Sequence, residues 1–112
     1  MSTANVEFLT LEGDPCPEGQ KPCRFTFRCV GYNRGLPKLL QRNKCANLLI
    51  AGTADIKRDP QGQNGGRPQW DWGGNREAPT FHPSINCESH CGWHGYIRNG
   101  RCVSAQGQDE PE

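Results

Sequence analysis

No apolar run in the 112-residue chain approaches the roughly 20 residues that a membrane-spanning helix requires, which excludes a helical membrane protein. Charge of one sign is also missing. Thirteen Lys and Arg against 12 Asp and Glu leave a net charge of +1, so there is no global electrostatic case for nucleic-acid or membrane binding. Apolar residues are scarce at 33%, while Gly (14) and Pro (9) are plentiful. A chain this short with so thin a core usually needs a covalent or metal staple. The opening residues Met1 to Phe8 carry neither a basic n-region nor an apolar h-region. A reducing, cytoplasmic setting is therefore expected, with host cytoplasm or virion as the form this takes if the chain is phage-encoded.

What is present is sulfur. Seven cysteines are an odd number, and disulfides would leave one thiol over. Metal is thus the better staple. Cys91 and His94 form a C-x-x-H pair, a spacing that lets a thiolate and an imidazole close on one ion. Cys29 and Cys45, each at the edge of an expected strand, complete a candidate Cys₃His set: Cys29, Cys45, Cys91 and His94. Thiolate plus imidazole is the usual tetrahedral set of Zn2+, and four protein ligands make a closed, structural shell. Cys16, Cys23, Cys87 and Cys102 are left open between a second metal site, disulfides and plain thiols.

Periodicity predicts a β protein. Cys23-Arg24-Phe25-Thr26-Phe27-Arg28-Cys29 alternates cleanly, with Cys23, Phe25, Phe27 and Cys29 on one face. Strands are expected near 24–29, 45–51, 69–72, 80–86, 94–98 and 101–104, with a further one at 6–11 in the N-terminal lead. Asn99-Gly100 predicts a two-residue hairpin turn, pairing Arg98 with Arg101, Ile97 with Cys102 and Tyr96 with Val103. His94, Tyr96 and Arg98 then share one face, with Ile97 and Cys102 on the other. Gly31, Asn33, Gly35 and Pro37 argue against regular structure at 30–37, while Lys38 to Asn43 could make a helical turn. Residues 52–68 are too polar to pack and read as a mobile loop. The expected fold is mostly β: a small single-domain, zinc-stapled antiparallel sheet with long loops and little helix. It spans 15–104, after a lead at 1–14 and before a flexible acidic tail at 105–112.

The order of a cysteine-rich segment, a tryptophan segment, Ala78-Pro79-Thr80-Phe81-His82-Pro83-Ser84-Ile85 and Cys91-x-x-His94-x-Tyr96-Ile97-Arg98-Asn99-Gly100 resembles a family. That family consists of small phage, prophage and bacterial proteins, some labelled ammonia monooxygenase. The resemblance covers roughly residues 25–103 and implies Cys29, Cys45, Cys91 and His94 as zinc ligands. It implies no settled activity, and nothing in the chain suits ammonia oxidation.

Three functional readings follow. The first is a zinc-stabilised accessory or interaction protein of phage or prophage type, with a protein partner docking on the 30–44 insertion. The second is a hydrolase, peptidase-like, either zinc-dependent or built on Ser84 with His82 or His90. Ser84 lies between Pro83 and Ile85 with no nucleophile-elbow glycines, so no catalytic residue is assigned and the enzyme reading ranks below the first. The third is a zinc-ribbon-like nucleic-acid module using Arg34, Lys38, Arg42, Lys44, Arg98 and Arg101, against which the net charge argues.

Overall fold

The computed structural model describes residues 3–43, 47–51, 69–87, 91–108 and 110. Its strands are β1 (Glu7–Leu9), β2 (Arg24–Thr26), β3 (Leu48–Ile50), β4 (Gln69–Trp72), β5 (Phe81–His82), β6 (Ile85–Cys87), β7 (Trp93–Arg98) and β8 (Arg101–Ser104). Among the described residues, helix is confined to one turn, α1 (Val30–Asn33), and a 3-10 turn at Lys38–Leu40. The protein is mostly β, as its alternating segments predict. No helix among the described residues is long and apolar enough to cross a membrane.

Among the described residues the strands pair antiparallel at all places but one. There are two sheets, one ordered β1-β2-β3-β4-β5 and one ordered β6-β7-β8. Within the first, β3 and β4 run parallel. Parallel neighbours need a crossover of a dozen or more residues, and the 52–68 segment between them supplies that length. The expected strand at 80–86 is split in two. A cis His82–Pro83 peptide separates β5 from β6, and the two belong to different sheets. Pro83 has no N–H to give to a ladder, so the chain leaves one sheet there and joins the other.

Two further expectations at 24–37 need correction. Regular pairing of β2 ends at Thr26, although Arg28 N–H still donates to Ala4 O. Cys29 then caps α1 where irregular chain is expected. The helix forms because Asn33, only 4% exposed, ties it down. Its side-chain amide donates to Cys29 O at 3.0 Å and to Arg42 O at 2.8 Å, and its Oδ1 accepts from Arg42 N at 3.0 Å. One buried side chain thus closes both ends of the 33–42 loop.

The core lies between the sheets. Cys23, Phe25, Phe27 and Cys29 are all buried on the predicted face. Phe25 stacks on Phe81 with ring centroids 3.8 Å apart, meets Trp70 edge-on at 6.3 Å, and Phe27 reaches Trp93 at 5.6 Å. Each buried ring contributes about 1.5–3 kcal/mol by leaving water. In this way few apolar residues still make a continuous core. Two glycines allow the close approach. A Cβ on Gly95 would lie 2.4 Å from the Trp93 ring and 2.2 Å from Val103 O, and one on Gly31 would lie 2.5 Å from Cys91 O. The chain after β8 folds back: Trp93 Nε1 donates to Glu110 Oε1 at 3.1 Å, so the tail does not fray at that point. The loop thought to be mobile, 52–68, lies outside the described residues.

Candidate active site

The β7–β8 hairpin has the predicted register. Arg98 faces Arg101, Ile97 faces Cys102 and Tyr96 faces Val103, with positive φ at both Asn99 and Gly100. Trp93, Gly95 and Ile97 are buried, while His94 and Tyr96 are half-buried and Arg98 is exposed. Strand β6 pairs on the other side of β7, placing Ile85 opposite Gly95 and Asn86 opposite His94. Side chains two residues apart share a face, so Ser84 and Asn86 project on the side of His94.

That register brings a hydroxyl to an imidazole. Ser84 Oγ lies 3.2 Å from His94 Nε2, and both residues are half-buried. Ser84 is held from behind, since its carbonyl accepts a hydrogen bond from Trp70 Nε1 at 3.3 Å. His94 sits on the longest strand of the molecule, and its carbonyl accepts from Ala105 N. Beyond it on the same face, the Arg98 guanidinium lies over the Tyr96 ring at 4.5 Å. A serine hydroxyl within hydrogen-bond reach of a histidine that can take its proton is the arrangement of a nucleophile and its base.

Two of the expected metal ligands meet elsewhere. Cys29 Sγ lies 2.8 Å from Cys91 Sγ, with Cys29 fully buried. Cys45 and His90 lie outside the described residues. His94 Nε2 faces Ser84, so a metal could reach this ring only through Nδ1. Among the described residues, no three of His, Cys, Asp and Glu converge as a metal-binding group. Cys102 is buried on the Ile97 side, its thiol toward Arg28 O. Cys16 lies in the loop that Arg76 caps, the guanidinium donating to the carbonyls of Cys16, Pro17 and Gln20. Cys23 packs with Leu49. The six described cysteines carry no disulfide. His82 is exposed on β5, opposite Asp71, away from the pairing of Ser84 with His94.

Sequence reasoning named Ser84 beside His82 and His90, which are nearer along the chain, and did not pair it with His94. The signal that could have found His94 was its place on the open face of the hairpin together with a Pro-Ser-Ile strand able to pair beside it.

The contact of Ser84 with His94 is one that a serine hydrolase could use. A family model described as "Bacterial ubiquitination-like system serine protease (BubE)" matches residues 52–105, just under half of the chain, and this stretch contains both Ser84 and His94. The match supports likeness to a bacterial family; phage or prophage character is no part of it. No curated protein and no solved structure matches the chain.

Proposed function

We propose that the chain is a serine peptidase acting on protein substrates within a bacterial ubiquitination-like system, with Ser84 as nucleophile and His94 as general base. The observation that carries this reading is the 3.2 Å approach of Ser84 Oγ to His94 Nε2 across the β6–β7 pair. The similarity over 52–105 to a family described as serine proteases supports it. In the reaction, Ser84 Oγ attacks the scissile carbonyl carbon as its proton passes to His94 Nε2. The tetrahedral adduct collapses when the imidazolium returns that proton to the departing amine. Water, deprotonated by the same nitrogen, then releases the acyl group from Ser84. An accessory role alone leaves this hydroxyl–imidazole contact without a task.

A fluorophosphonate probe tests the proposal. Mass analysis should find one adduct on Ser84, lost in Ser84→Ala and in His94→Gln. Undiminished labelling of Ser84→Ala, or none of the wild-type protein, would sink it.

The expected zinc has a place in this reading as a staple. The adjacent sulfurs of Cys29 and Cys91 suit a borderline-soft ion, and Cys45 is a third donor of the expected set; His94 leaves that set in this reading, because an imidazole bound to zinc through Nδ1 carries its proton on Nε2 and could take none from Ser84. Cys29 and Cys91 would hold α1 against the start of β7, and no step of the reaction runs through the ion. Metal analysis of wild-type protein and Cys91→Ser checks this: stoichiometric zinc in the first and its loss in the second is the expected outcome.

A further inference from the structure

A second surface lies on the 30–43 segment, and the peptidase reading makes no use of it. A polar cleft of about 490 Å³ opens between this segment and the start of β1. Arg28, Lys38 and Arg42 line it, against a single acid, Glu7, among the described residues. The wall is built rather than loose. Buried Asn33 clamps the Arg42 backbone through both its N–H and its carbonyl. Asn43 Nδ2 donates to Asn5 O at 2.6 Å, which leaves Asn43 Oδ1 buried and without a hydrogen-bond partner among the described residues.

Beside the cleft is apolar surface of an unusual kind. Leu39 is 94% exposed and Leu40 55%, and both lie between two residues lining the cleft, Lys38 and Gln41. Leu36 and Tyr32, at 39% and 45%, are exposed on the same segment. Exposed leucines adjoining guanidinium groups select against a phosphate backbone, which offers nothing to bury them. They suit a polypeptide that brings carboxylates and aliphatic side chains together.

We propose that this cleft and its leucine rim are a docking surface for an acidic, aliphatic segment of a partner protein. The carboxylate engages Arg28 and Arg42, and Leu39 and Leu40 pack against the aliphatic side chains. Docking here requires no chemistry at Ser84, so the two proposals fail separately.

Fluorescence anisotropy on the full chain tests it with a short labelled peptide alternating Glu and Leu. The expected result is saturable, salt-sensitive binding, weakened about tenfold or more in Arg42→Gln and about tenfold in Leu39→Ser. Both side chains face solvent, so neither variant threatens the fold, and fluorophosphonate labelling of Ser84 should be unchanged in each. Several results would overturn the proposal: no binding of the peptide by wild-type protein, equal binding by both variants, or equal binding of a Gln-for-Glu peptide. Tighter binding of oligothymidylate of matching length would do the same and assign the surface to nucleic acid.

Discussion

The two faces of β7 were built from one run of residues and do opposite jobs. Trp93, Gly95 and Ile97 are buried, and their neighbours decide whether the small sheet stays on the core. His94, Tyr96 and Arg98 alternate with them and face outward, meeting Ser84 and each other. The contrast teaches that a core-poor chain can position a serine–histidine pair without a loop-built cleft. Packing on one side of a strand fixes the backbone, and the pleat then aims the other side. The thiols follow the same division. Cys29 and Cys102 are buried within the core, Cys91 packs against it, and His94 lies on the open face.

Substitutions on the two faces should therefore separate rate from stability. His94→Gln is expected to lower the rate of fluorophosphonate labelling by about 10⁴-fold or more, while thermal unfolding moves little. A matching loss of stability would mean that the open face is structural too. Ile97→Ala should do the reverse, costing about 2–5 kcal/mol in denaturant unfolding through the cavity it leaves. Gly95→Ala should cost about 1–3 kcal/mol, because the added methyl collides with Val103 O and the Trp93 ring. Loss of near-ultraviolet tryptophan signal would report that displacement. Smallest of all, Arg98→Ala should change stability by under about 1 kcal/mol, since its contact with Tyr96 is at the surface.

Much of this was open to reading along the chain. The alternation of Cys23 to Cys29 showed which residues go inside, and Asn99-Gly100 set the hairpin register to the residue. Both are local signals, a period of two and a turn with positive φ. What failed needed contacts between distant segments. Pro83 announced a weak strand, yet nothing near it said that the chain changes sheets there. Asn33 looked like a helix breaker, and its three hydrogen bonds depend on where Arg42 returns. The C-x-x-H spacing singled out His94, but no spacing named the serine that meets it, which lies ten residues upstream.

The residue order by itself determined the strands, their inward faces and the hairpin, because each follows from the geometry of a few consecutive peptides. Only the tertiary structure decided that Ser84 meets His94 and Cys29 meets Cys91. Those meetings depend on which strands become neighbours, and that is settled when the whole chain buries its few aromatic rings together.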